Sequence, residues 1–113
     1  MVVVYGIRNC DTVKKARRWL ESHSTEYRFH DFRQQGLSRA KVQNWLKSTD
    51  IEKLINRRSM TWRNLPDRDK QDINKSTVIN LMLEHPTLIK RPILEVDDKI
   101  IVGFSEAEYQ QTF

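Results

Sequence analysis

The chain opens on Val2-Val3-Val4-Tyr5, apolar and mostly β-branched at consecutive positions, the pattern of a strand covered on both faces. Gly6 to Asn9 follows as a loop. From Asp11 the spacing changes: Val13, Ala16 and Leu20 recur at i, i+3 and i+7, while Lys14, Lys15, Arg17 and Arg18 take the other faces. That predicts an amphipathic helix, with Asp11 or Thr12 expected to cap it and Ser22-His23-Ser24 to end it. Glu26 to Phe32 alternates, Tyr27 and Phe29 against Arg28 and His30, and predicts a second strand. Strand, helix and strand within about 30 residues form a βαβ unit, which pairs its strands in parallel through a right-handed crossover.

The middle of the chain reads as helical. Ser38 is the expected cap of a helix with Val42, Trp45 and Leu46 inward, and Asp50 of another with Ile51, Leu54 and Ile55. A third is predicted from about Ser76 to Glu84, stopped by His85-Pro86 because the residue before proline is pushed out of the helical region. The polar, basic stretch from Asn56 to Asn74 resists division, with Trp62 and Leu65 as its expected anchors. Sheet then returns: Ile93–Val96, Asp97-Asp98 and Lys99–Val102 read as a hairpin. Ser105 and Glu108 have capping-box spacing, and Phe104 and Tyr109 sit where a hydrophobic staple would clasp a terminal helix. The expected fold class is therefore α/β, with about four strands in a mixed sheet and an all-helical insertion.

At 113 residues the chain is expected to be one domain, with a core from about 1–33 and 86–113 and the insertion from about 37–85. Its 20 Lys and Arg against 15 Asp and Glu give +5, which favours anionic partners, although the same excess also serves plain solubility. No apolar run approaches the roughly 20 residues needed to span a bilayer, and no secretory pattern is visible. A cytoplasmic, membrane-free and monomeric protein is expected. Cys10 is the single cysteine, so an internal disulfide is impossible, and the scattered His23, His30 and His85 lack metal-ligand spacing. No metal is expected.

Cys10 falls between the first strand and the first helix. In a parallel α/β sheet this is the edge where ligands bind, and the free amides of a helix start favour a thiolate over a thiol. A thiolate is a nucleophile toward disulfides and oxyanions. A lone cysteine is equally read as an inert core residue, but Asn9, Asp11 and Thr12 make the surroundings of Cys10 polar. Arg91-Pro92 precedes a predicted strand and offers a guanidinium suited to carboxylates or oxyanions. Arg57-Arg58 and Arg63 form a second basic group around Trp62, which opens a weak reading as a single-strand nucleic-acid platform. Each arginine alone reads first as solvated surface.

Three stretches together resemble a known family: Val4-Tyr-Gly-Ile-Arg-Asn-Cys10-Asp-Thr-Val-Lys-Lys-Ala-Arg17, Leu83-Glu-His-Pro-Thr-Leu-Ile-Lys-Arg-Pro92-Ile93, and Val102-Gly-Phe-Ser-Glu106. They look like the arsenate reductase-related (ArsC-like) family of the thioredoxin-like superfamily, and within it the YffB-type branch. The resemblance implies a thioredoxin-like core with a helical insertion, a reactive Cys10 and a cis bond before Pro92. It also implies that Arg91 and one of Arg57 and Arg58 face the cysteine, with Arg58 in first place. Relatives that work by an internal disulfide carry a second cysteine where this chain has Val13. A third arginine of the arsenate reductases is replaced by Gly103-Phe104, and a glycine important to the regulators of the family is missing, since none lies between Leu37 and Val102.

The expectation is thus a glutathione-dependent thiol reductase working through Cys10 alone, with glutathione as co-substrate and a thiol, disulfide or oxyanion as substrate. Arg91, Arg58 and Arg57 are expected to receive the glutathione carboxylates. Main chain beside Pro92 would pair with its backbone, Thr12 would support the sulfur, and Asn9 would line the site. Two alternatives stand: an arsenate reductase using glutathione as reductant, and a non-enzymatic regulator of the same fold that binds RNA polymerase.

Overall fold

A computed structural model of the chain describes residues 1–71 and 73–113, in the order β1 (Val2–Gly6), α1 (Asp11–Ser22), β2 (Arg28–Asp31), α2 (Phe32–Gln35), α3 (Arg39–Ser48), α4 (Ile51–Leu54), α5 (Met60–Asn64), α6 (Asp67–Lys70), α7 (Lys75–Glu84), β3 (Ile93–Val96), β4 (Lys99–Val102) and α8 (Glu106–Thr112). A short 3₁₀ turn, Pro86–Leu88, follows α7. Two units are distinguished, Met1–Gly36 with Arg91–Phe113, and Leu37–Lys90.

The first unit is built on one mixed sheet in the order β2-β1-β3-β4. β1 pairs in parallel with β2 and antiparallel with β3, and β3 pairs antiparallel with β4. The register aligns Phe29, Val4, Leu94 and Ile101 in one row across all four strands. Alternation puts such a row on one face, and that row joins Ala16, Trp19 and Leu20 of α1 and Tyr109 of α8 in a single core. The α1 stripe closes tightly, with Val13, Ala16 and Leu20 wholly buried. The staple predicted for α8 is present: the Phe104 and Tyr109 rings meet edge to face at 4.9 Å, and Ser105 Oγ accepts from the Glu108 amide at 3.3 Å. The β3–β4 hairpin turns without glycine because Asp97 itself adopts a positive φ of 54°, a conformation Asp tolerates better than most residues.

In the second unit short polar side chains start most helices, two of them, Ser38 and Asp50, as their spacing predicts. Ser38, Asp50 and Ser59 accept amide hydrogens from the first turns of α3, α4 and α5, and Asn74 forms a full capping box with Thr77 at α7. The stretch that resists division in the sequence holds α5 and α6, and Leu65 is buried there. Trp62 is only partly buried. The Arg57 guanidinium lies 4.7 Å from its ring centre and the Lys70 ammonium 5.7 Å from it, so the ring is held by cations as well as by the core.

Several boundaries differ from expectation, beginning with Gly6, expected in the loop but the last residue of β1, where it pairs with Asp31. The second strand is shorter than Glu26–Phe32, because the Asp31 side chain accepts from the amides of Arg33 and Gln34 and so turns the chain into α2. The third predicted helix, α7, starts one residue early, on the Asn74 cap. At α1, neither Asp11 nor Thr12 is the cap: Cys10 holds that place.

Candidate functional site

The strand register gathers several predicted residues at one end of the sheet. Tyr5 of β1 faces Ile93 of β3, so the loop leaving β1 and the Arg91-Pro92 segment entering β3 emerge side by side. Gly6 faces Asp31 in the same way, which brings the β2–α2 junction to that end too. Val102 closes the row opposite Ile93, and the Gly103 amide donates to the Pro92 carbonyl at 2.8 Å. Cys10, Asn9, Thr12, Arg91 and Pro92 thus share one edge of one unit. The Arg91–Pro92 peptide bond is cis.

Cys10 is partly exposed and forms no disulfide. Its backbone is extended at φ −144° and ψ 122°, and its carbonyl accepts the first helical bond from the Lys14 amide at 3.0 Å. Its side chain makes no capping hydrogen bond. Cys10 therefore holds the N-cap position of α1, where first-turn amides have no partner within the helix. Asn9 and Thr12, on either side of the Cys10–Asp11 pair, are exposed.

Two residues that sequence reasoning missed shape this loop. Gly6 has no room for a side chain: an added Cβ would stand 2.8 Å from a Val13 methyl. Asp31 is buried, and its carboxylate accepts the Arg8 amide at 3.3 Å, with the Arg8 Nε 4.0 Å away. The available signal was a short acidic residue ahead of Phe-Arg-Gln-Gln-Gly, a cap followed by a one-turn helix and its glycine stop.

Arg57 and Arg58 belong to the second unit and differ in their commitments. Arg57 makes two hydrogen bonds to the Glu52 carboxylate, at 2.6 and 3.0 Å, and covers Trp62. Those bonds hold the Glu52 carboxyl below its ordinary range and push the Arg57 guanidinium up. The Arg58 guanidinium is exposed and pairs with no carboxylate among the described residues. Among those residues, no three His, Cys, Asp or Glu cluster as metal ligands would, and no helix is long and apolar enough to cross a membrane.

Comparison with known proteins agrees with this architecture. The ArsC family model matches residues 5–112. An uncharacterised protein of Haemophilus influenzae is 46% identical over 117 residues, covering 100% of this chain and 99% of that protein. The global transcriptional regulator Spx of Streptococcus pyogenes is 31% identical over 110 residues, 96% of this chain and 81% of its own. Among solved structures, a YffB protein superposes with a TM-score of 0.96 at 39% identity, covering 98% of this chain and 97% of its own. An arsenate reductase related protein from Brucella melitensis gives 0.78 at 44% identity, with 97% and 92% covered. The matched span takes in the end of β1, the Cys10 loop, the helical segment and the closing hairpin, and the chain is a member of the ArsC family, of YffB type, on a thioredoxin-like α/β fold.

Proposed function

We propose that this protein is a glutathione-dependent thiol reductase in which Cys10 is the only nucleophile. The observation that carries the reading is the seat of Cys10: a partly exposed residue at the start of α1, its side chain making no capping hydrogen bond, at the edge that also bears Arg91 and Pro92. First-turn amides and the positive end of the helix favour an anion there.

The chemistry is thiol–disulfide exchange. The Cys10 thiolate attacks the glutathionyl sulfur of a mixed disulfide, the old S–S bond breaks, and the substrate leaves as a thiolate that takes a proton from water. Cys10 then carries the glutathionyl group. With Val13 where a resolving cysteine would stand, the second step falls to free glutathione. Its thiolate attacks the glutathionyl sulfur, forms oxidised glutathione and returns the Cys10 thiolate. One substrate disulfide is reduced and two glutathione units are joined, so electrons balance.

Arg91 supplies positive charge for a glutathione carboxylate, and the main chain beside Pro92 offers an extended edge for the tripeptide backbone. Asn9 and Thr12 border the sulfur in sequence. Of Arg57 and Arg58, Arg58 is the better carboxylate ligand because its guanidinium is uncommitted. The test is reduction of a glutathionylated peptide by reduced glutathione: turnover that disappears in Cys10→Ser supports the reading, and turnover that survives it refutes it.

The 31% identity to proteins named as Spx favours a second reading, a transcriptional regulator of the same fold. It separates from the first on the same variant, since a binding role survives Cys10→Ser. Arsenate reduction stands behind both, because Gly103-Phe104 supplies no cation.

A further inference from the structure

Asp31 is the one charged residue buried among the described residues, at 5% exposure. A carboxylate removed from water persists only where donors replace it, and Asp31 has them from two directions. Oδ1 accepts from the Arg33 amide at 2.8 Å and the Gln34 amide at 3.4 Å, which starts α2. Oδ2 accepts from the Arg8 amide at 3.3 Å, which serves nothing in α2. A cap alone needs one oxygen, as the serines at 38 and 59 show. The second oxygen reaches across to the turn between Gly6 and Cys10.

That turn has few other holds. Its tip, Arg8 and Asn9, is exposed. Ile7 is buried on one side of it, and the Cys10 carbonyl enters α1 on the other. The parallel register puts Asp31 directly beside Gly6, so the carboxylate is fixed to the sheet while its oxygen holds the loop. We propose that Asp31 is a positioning residue for Cys10, pinning the Arg8 main chain so that the sulfur stays at the start of α1. Displacement at sulfur requires an aligned approach, and a misplacement of about 1 Å is enough to cost on the order of a hundredfold in rate. The inference rests on Cys10 being the reacting thiol.

Charge and position predict opposite signs, which makes the idea testable. If Asp31 acted on the thiolate only through its negative charge, neutralising it would speed Cys10 alkylation. If it positions the loop, neutralising it slows alkylation. Asp31→Ser keeps one oxygen for the α2 cap and loses the oxygen that holds Arg8. Asp31→Asn keeps the size and the cap but presents a donor, or a single flipped oxygen, to the two clients. Asp31→Ala loses both functions.

The experiment combines hydrogen exchange at the Arg8 amide, thermal unfolding, and the pH–rate profile of iodoacetamide alkylation at Cys10, which needs no glutathione. In Asp31→Ser and Asp31→Asn we expect Arg8 exchange to rise about tenfold or more. Alkylation should slow three- to tenfold at neutral pH with its profile displaced to higher pH, while Asp31→Ser melts near the wild type. Unchanged or faster alkylation in both variants, with Arg8 exchanging freely, overturns the proposal. So does an equal loss of thermal stability in Asp31→Ser and Asp31→Ala with the profile unmoved, because Asp31 is then a cap and nothing more. If Asp31 variants alter alkylation but the wild type takes up no glutathione, the positioning role stands and the glutathione reading falls.

Discussion

Gly6→Ala tests how closely the end of β1 approaches α1, because the missing side chain is what allows it. An added Cβ would lie 2.8 Å from one Val13 methyl and 3.5 Å from the other, where ordinary contact starts at 3.4 Å. Val13 is wholly buried, and a β-branched side chain in a helix has essentially one χ1 available, so it has no rotation by which to escape. The strain must go into moving the start of α1 by about half an ångström. Overpacking of this kind costs about 1–3 kcal/mol. Replacing glycine also removes freedom from the unfolded chain, which returns about 0.4–1 kcal/mol. At 113 residues, an unfolding entropy of about 2.1 cal/mol/K per residue makes each kcal/mol worth about 4 °C. The net expectation is a melting temperature lower by about 5 °C, within bounds of about 0 and 11 °C, read by calorimetry. In the double variant with Val13→Ala the two losses should fall short of additive by about 1 kcal/mol, since the clash is removed. A Gly6→Ala protein more stable than the wild type, or strictly additive losses, would refute the close approach and the placement of Cys10 that depends on it.

Tyr109→Phe should leave stability unchanged or raise it by up to about 1 kcal/mol, because the Tyr109 hydroxyl is buried with no hydrogen-bond partner among the described residues. Burial, and secondarily the Glu108 charge, push the Tyr109 phenol above its ordinary value of 10.0. The folded protein then holds a proton that the unfolded chain releases, so stability is full below pH about 10 and falls as pH rises beyond it. Denaturant titrations at rising pH should show that alkaline loss in the wild type and a smaller one in Tyr109→Phe; an identical decline in both contradicts the assignment. Arg58→Ala should weaken glutathione capture about tenfold, as losing one charge-assisted hydrogen bond does, and Arg57→Ala clearly less, because Glu52 already holds Arg57. Initial rates against glutathione concentration decide it, and a reversed ranking removes Arg58 from the reading.

Much of this architecture is legible in local patterns. β1 follows from Val2-Val3-Val4-Tyr5, the α1 stripe from Val13, Ala16 and Leu20, and the α8 entry from Phe104, Ser105 and Tyr109, because each depends on neighbours within one or two turns. What stays hidden depends on contacts distant in sequence. Asp31 reads as the polar end of an alternating strand until its partner at Arg8, 23 positions away, is known. Gly6 reads as an ordinary loop glycine until Val13 is seen against it. Nothing within the Arg57-Arg58 pair separates the two; Glu52 does, from the preceding helix. The cap at α1 eluded propensity because cysteine is not among the usual cap residues, and its extended backbone, set by the loop, put it there. Trp62 reads as core because aromatic rings usually are, whereas here Arg57 and Lys70 share the covering of it.

The most direct measurement is intact-protein mass spectrometry after mixing with oxidised glutathione. The account predicts a single glutathionyl adduct on Cys10, formed in seconds to minutes at neutral pH, removed by excess reduced glutathione and absent from Cys10→Ser. A protein that stays unmodified while an unstructured cysteine peptide in the same tube is glutathionylated would contradict it.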